Sequence, residues 1–345
     1  ESNTRMTVSQ ADDLMIPDVQ QEMHRNTENA FNFYPNQQNN VMNFLDDDED
    51  LRQQIEEMEG PKKETLDPET QRQVDDIVKY ISNLKYSSDL NKRVESLIAL
   101  NDIIAAIQNY EKAIQHTAND LISALSHVLI DIFERPRQDT PLRFAKYFVT
   151  IVNKTCQCNV IMTVIRENEL YELIEQLLTR LLIDNLNKLG DENEGQFIVN
   201  NLNGSMLRCL ENCNKTAIFC VLFNLLRRHK DNPAQVKLPG LIIKCLLKLS
   251  KILEKLIEDL EIERVLSVIH LYLISINHEK KTSNDEMGIR IVKTLVHEMV
   301  KVKRHSILDA YRVVERHEVE DKHLLRWIKI ILNTIDPNGL DAQQP

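Results

Sequence analysis

The chain has 345 residues and a formal charge of −11 at pH 7, with 7 glycines and 5% aromatics. So little glycine argues against hairpin-rich sandwiches, barrels and glycine-loop nucleotide folds, while abundant Leu, Ile, Lys, Glu and Asn favours helices. No charge-free apolar run reaches the ~18 residues of a membrane span, and no basic-apolar-small signal opens the chain. Six cysteines without a framework of spacings predict reduced thiols of a cytosolic or nuclear protein.

Residues 1–67 hold 16 acidic and 5 basic side chains, so residues 68–345 are neutral, with 37 of each sign. The first segment is also rich in Asn and Gln and poor in β-branched residues. It cannot bury enough apolar surface to offset chain entropy, which predicts a largely disordered acidic tail or linker. Two pieces stand out within it. Ala30-Phe31-Asn32-Phe33-Tyr34-Pro35 sets three aromatics in a polar field, and 44–59 has the pattern of a short acidic helix with Leu45, Leu51, Ile55 and Met58 on one side. Either piece has the chemistry to dock on a partner or on the folded body; a solvated linker is the simpler reading.

Asp67-Pro68-Glu69 reads as a helix start, with an N-cap Asp and Pro at the first helical position. Val74, Ile77, Val78, Ile81 and Leu84 then recur at helical spacing. The pattern predicts helices over 68–84, 91–108, 113–134, 140–155, 168–188, 195–211, 214–229, 239–257, 261–277, 285–303, 305–315 and 320–335. These form six antiparallel pairs in a domain spanning 68–336, followed by a short tail at 337–345. The run 158–165 is β-branched, but it is short and has no partner strand. A two-helix period in the forties predicts an all-α solenoid of HEAT-type repeats. In helix 239–257, Leu241, Ile242, Cys245, Leu246, Leu249, Ile252, Leu253 and Leu256 cover a wide arc. Lys244, Lys248, Lys251 and Lys255 leave one narrow wet stripe, as an interior repeat requires.

Catalytic and metal patterns fail on chemistry. His297-Glu298-Met299-Val300-Lys301 opens like a zincin helix, but Lys301 stands where a second His ligand is needed. Cys156-Gln157-Cys158 and Cys209 with Cys213 lack zinc-ribbon spacing; Cys209 and Cys213, at a helix end, predict core packing or a shared exposed edge. His317 and His323 straddle a break with no ligand set around them. Asp191 and Glu192 sit in an expected exposed break, where nothing would shift their titration. No phosphate-binding loop, nucleophile elbow or dinucleotide fingerprint occurs. The expectation is a non-enzyme without metal or cofactor.

Stacked pairs align their within-pair turns along one edge. Those turns carry Lys85, Arg135 and Arg137, Asp191 and Glu192, Lys230 and Lys237, Lys280 and Lys281, and Arg316 with His317. Such a ridge would attract an acidic partner, although loops are polar in any case. Nucleic acid fits less well, because aromatics for base stacking are lacking from these turns.

The stretch Ser88-Asp89-Leu90-Asn91-Lys92-Arg93-Val94-Glu95-Ser96-Leu97 resembles the opening turn and second helix of a TOG domain. TOG domains are the six-repeat HEAT paddles of the microtubule polymerases related to Mini spindles and the colonic-hepatic tumour-overexpressed-gene protein. Four later stretches resemble the divergent TOG-like domain near the C-terminus of that family. They are Leu177 to Asp184, the helix opened by Glu194-Gly195-Gln196, Leu241 to Leu246, and Ile289 to His297; Ser306-Ile307-Leu308-Asp309 follows in family order. The resemblance covers roughly residues 76–335 and rests on order and spacing, since no single stretch is specific.

What the resemblance implies is a non-catalytic interaction module that brings a polymerase to centrosomes, spindle poles and cytoplasmic microtubules in mitosis. Implied partners are a transforming acidic coiled-coil (TACC) protein, tubulin or microtubules, and the γ-tubulin complex, without nucleic acid or membrane. Direct tubulin or lattice binding is an alternative, and a HEAT adaptor of an unrelated pathway is another. The family's tubulin-binding TOG domains use a Trp in the first within-pair turn. Here the matching position is Leu90, which removes the large amphipathic anchor while Arg135, Arg137, Lys230 and Lys237 keep the electrostatic part. In relatives a helical bundle beyond this domain grips the TACC coiled coil, and this sequence stops at Pro345. Trp327, beside Ile328, Ile330 and Ile331, reads as core.

Overall fold

The structure is a computed structural model that describes residues 66–134, 142–183, 186, 192–232, 236–276, 282–315 and 323–335. The chain divides into two units, Glu1–Glu69 and Thr70–Pro345, and the second holds nearly all of the described residues. The expectations for 1–65, including the aromatic cluster and the acidic helix, lie outside the described residues, as does the 337–345 tail.

Within the second unit the described residues form helices and turns without a strand. The helices are α1 (Pro68–Tyr86), α2 (Leu90–Ala105), α3 (Ile107–Phe133), α4 (Leu142–Gln157), α5 (Asn159–Met162), α6 (Glu167–Leu181) and α7 (Glu192–Asn212). After them come α8 (Lys215–His229), α9 (Leu238–Ser250), α10 (Leu253–Leu256), α11 (Ile262–Ser275), α12 (Ser283–Lys303), α13 (Ser306–Glu315) and α14 (His323–Ile335). Each expected helix has its counterpart. The tempting run 158–165 holds the one-turn α5, whose Ile161 and Met162 are buried.

Three boundaries differ from the sequence pattern. Helix α3 starts at Ile107, because a single residue, Ala106, separates it from α2. The Ala106 N–H donates to the Asp102 carbonyl at 2.9 Å, and Asn109 N–H donates to the Ala106 carbonyl, also at 2.9 Å. Helix α6 ends at Leu181, where the Leu182 N–H bonds back to the Thr179 carbonyl at 3.2 Å and tightens the last turn. The long helix expected over 239–257 breaks at Lys251, so Lys244 and Lys248 ride on α9 while Lys251 and Lys255 lie beyond it.

The helices stack in two layers. Helices α2, α4 and α7, then α9, α12 and α14, alternate along the chain with α3, α6, α8, α11 and α13 of the second layer. One continuous core runs from Ile77 to Leu332. This is the all-α HEAT-type solenoid of antiparallel helix pairs that the two-helix period predicts. Helix α8 shows what an interior position demands. Thr216 to Phe223 are all buried, as are Leu225 and Leu226, so the helix is covered on every side. Its neighbours α6 and α11 approach each other across it: Arg264 pairs with Glu167 at 2.6 Å, 97 positions apart in the chain.

Candidate interaction edge

Polar bonds between neighbouring helix ends mark the two edges of the solenoid. On one edge, the start of α2 meets the end of α3 through Arg93 and Asp131, 3.7 Å apart. The ends of α3 and α6 meet through Glu134 and Arg180 at 2.5 Å, and the starts of α4 and α7 through Lys146 and Glu194 at 3.0 Å. The Asn284 amide, at the start of α12, donates to the Val236 carbonyl just before α9 at 3.3 Å. The opposite edge is closed by Lys154 on Asn101 at 2.8 Å, Asn212 on the Cys156 carbonyl at 2.9 Å, and Lys303 on Glu258 at 2.9 Å. Of the turn residues singled out from the sequence, Lys85, Leu90, Lys230 and Lys237 are described, and they lie at the helix ends of the first edge.

The first of these turns runs from Tyr86 to Leu90. Asp89 caps α2, its carboxylate accepting from the Asn91 N–H at 2.9 Å, and Ser87 Oγ accepts from the Asp89 N–H at 3.1 Å. Leu90 is half-buried and packs against the core. The exposed side chain of the turn is Tyr86, at 73% exposure, with the Lys85 ammonium 5.4 Å from its ring centroid. Lys85 Nζ also donates to Ser123 Oγ on α3 at 3.3 Å. Tyr86 corrects the reading that these turns lack aromatics. It lies off the stripe of Ile77, Ile81 and Leu84, and that displacement from the buried face was the signal in the sequence.

Between α8 and α9 the edge carries Arg227 and Arg228, both exposed, then Lys230, Val236 and Lys237. Lys230 is neutralised by its neighbour Asp231 at 2.7 Å, which weakens it as a lure for an acidic partner. Lys237 is exposed at the start of α9, and Val236 beside it is 65% exposed. The Arg228 guanidinium donates to the Tyr171 hydroxyl at 3.2 Å, and buried His229 meets Glu175 at 2.6 Å, pinning the end of α8 to α6. Arg135, Arg137, Asp191, Lys280, Lys281, Arg316 and His317 lie outside the described residues, as does the side chain of Glu192.

The remaining chemistry-bearing residues have structural surroundings. Cys209 and Cys156 are buried with their sulfurs 3.6 Å apart, and Cys213 is buried as well. Hydrogen bonds to Cys156 and Cys213, with burial, hold the Cys209 thiol well above its usual range. Burial pushes Cys220 and Cys245 up to about 12. Such thiols are poor nucleophiles and poor metal ligands. His297 and Lys301 share Glu298 at 3.3 and 3.6 Å on the open side of α12. Among the described residues no three His, Cys, Asp or Glu side chains are grouped to hold a metal ion, and no helix is long and apolar enough to cross a membrane. Trp327 is core, 8% exposed, beneath the Lys293 ammonium at 5.2 Å.

Sequence comparison bears on this architecture. The chain is 29% identical over 233 residues to Protein MOR1 of Arabidopsis thaliana, covering 63% of this chain and 12% of that protein. It is 30% identical over 243 residues to Centrosomal protein 224 of Dictyostelium discoideum, covering 66% of this chain and 11% of the relative. These similarities agree with the resemblance to a TOG-like domain of the Mini spindles family. Protein mini spindles of Drosophila melanogaster itself is 25% identical over 168 residues, 48% of this chain and 8% of its own length. The chain therefore spans about a tenth of these relatives. No protein-family model matches it, and no solved structure does. In this helical domain the half-buried Leu90 and the open Tyr86 divide the work of the first turn between packing and exposure.

Proposed function

We propose that the TOG-like domain is a non-catalytic docking module that brings a longer microtubule-associated protein to centrosomes, spindle poles and microtubules. The carrying observation is the edge on which helix ends meet, with Tyr86, Val236 and Lys237 open to solvent. Large amphipathic side chains beside cations are the composition of protein-binding hot spots. The names of the relatives, centrosomal and mini spindles, support the location. Tubulin or the microtubule lattice is the first partner of this edge. A TACC coiled coil and the γ-tubulin complex are the partners through which it would reach the pole. Residues 1–67 serve as an acidic linker, 68–336 as the docking domain and 337–345 as a short tail.

The loop cations Lys85, Arg135, Arg137, Lys230, Lys237, Lys280 and Lys281 contribute steering, and Leu90 holds the first turn against the core. A fluorescent copy of the chain in dividing cells tests the reading. Accumulation at spindle poles, lost in Tyr86→Ala with Lys237→Glu, supports it. Diffuse signal through mitosis, with no pole protein recovered by affinity purification, contradicts it and favours a HEAT adaptor of another pathway.

A further inference from the structure

The outward face of three first-layer helices carries a charge pattern that the turn edge does not explain. Helix α12 packs between α9 and α14. Helices α9 and α14 contain no carboxylate at all. Lys244 and Lys248 lie on the side of α9 opposite Ile242, Cys245, Leu246 and Leu249. On α12, Arg290, Lys293, His297 and Lys301 follow one another at steps of three and four, opposite Val292, Leu295, Val296 and Met299. On α14, Arg326 and Lys329 stand opposite Leu324, Ile328 and Leu332. Arg290, Lys301, Arg326 and Lys329 are exposed; Lys244, Lys248 and Lys293 are half-buried with their stems against the helices.

The acidic residues of this face are Glu298, already shared by His297 and Lys301, and Glu286 in the first turn of α12. Among the described residues, Lys244, Lys248, Arg290, Arg326 and Lys329 take part in no ion pair. Met287 and Ile330, 39% and 37% exposed, interleave with them. The second layer has the opposite sign in the N-terminal half: α6 carries Glu167, Glu169, Glu172 and Glu175 against Arg180 alone.

We propose that the outward face of α9, α12 and α14 docks an acidic, extended protein segment such as a glutamate-rich tail. Adjacent packed helices lie 8–10 Å apart, so the three stripes span about 20 Å. An extended chain covers that distance in about six residues at ~3.4 Å each and can set a carboxylate against every stripe. Long Lys and Arg stems adjust to an irregular chain, while Met287 and Ile330 supply apolar contact between the charges. This surface is a helix face rather than the turn edge, and it stands whether or not that edge engages a partner.

The test is binding of the full chain to a fluorescent oligoglutamate of about twelve residues, about twice the crossing length. The expected result is binding at low salt that is lost near ~0.3 M salt. Lys244→Glu, Lys248→Glu, Arg326→Glu and Lys329→Glu together should weaken it at least about tenfold. The edge variant Lys85→Glu, Lys230→Glu, Lys237→Glu should stay within about twofold of the parent. If the fourfold variant loses its helical circular dichroism, the four Gln substitutions, which keep the stems, replace it with the same expectation. Absence of binding at low salt, or equal weakening by face and edge variants, overturns the proposal. So does preference for a DNA oligonucleotide of equal charge, or self-association of the chain that occupies the face.

Discussion

Helices α8 and α14 are similar in length and both apolar, yet the solenoid uses them differently. Helix α8 is buried around its whole circumference, with Phe219 and Phe223 among the fully buried side chains. Helix α14 buries Leu324, Trp327, Ile328, Ile331 and Leu332 on one side and leaves Arg326, Lys329, Ile330, Asn333 and Thr334 open. What separates them is the number of neighbours. The interior helix meets α6, α7, α9 and α11, whereas α14 meets α12 and α13. In a solenoid, stability is a sum over such interfaces, so the interior is where truncation is felt and the open face is where charge can be spent on partners.

That comparison can be broken by truncation. Phe219→Ala in α8 should cost about 3–5 kcal/mol, read by urea denaturation, because no neighbour can close the cavity without moving its own partners. Leu332→Ala in α14 should cost about 2 kcal/mol, at the low end of such losses, since α14 has one packed side and can shift. Equal costs at the two positions would contradict the interior-versus-open account.

Gly288→Ala on α12 should cost about 1–3 kcal/mol, because the new methyl would stand 1.9 Å from the Tyr272 hydroxyl. That hydroxyl is buried without a hydrogen-bond partner among the described residues. Tyr272→Phe should therefore be neutral to within about 0.5 kcal/mol and should restore part of the Gly288→Ala loss in a double-mutant cycle. Additive costs would show that the methyl meets something other than the hydroxyl. The smallest effect is expected at the edge: Lys237→Ala should change the melting free energy by less than about 0.5 kcal/mol, since the residue is exposed and lies off the core. A larger loss would make Lys237 structural.

The fold was legible because period and pairing agree. The apolar recurrence marks each helix, Asn214 caps α8 by accepting from the Ala217 N–H at 3.0 Å, and Thr282 with Asp285 forms a capping box before α12. The α2/α3 break was not legible, since Ala106 carries no turn chemistry. The edge was partly legible. The turns and their cations stand in the sequence, but Tyr86 declares itself only by lying off a buried stripe. Lys230 loses its value as a free cation to Asp231, an acidic neighbour in the sequence that counting basic residues passes over. The basic face of α9, α12 and α14 needed the layers, because its charges come from three separate helices between Leu238 and Ile335.

Co-sedimentation with microtubules tests most directly whether the edge carrying Tyr86 and Lys237 is a binding edge. The chain should pellet with microtubules at low salt, and Tyr86→Ala combined with Lys237→Glu should leave it in the supernatant while its helical signal is unchanged. A variant that pellets as well as its parent would contradict the edge as the site of contact.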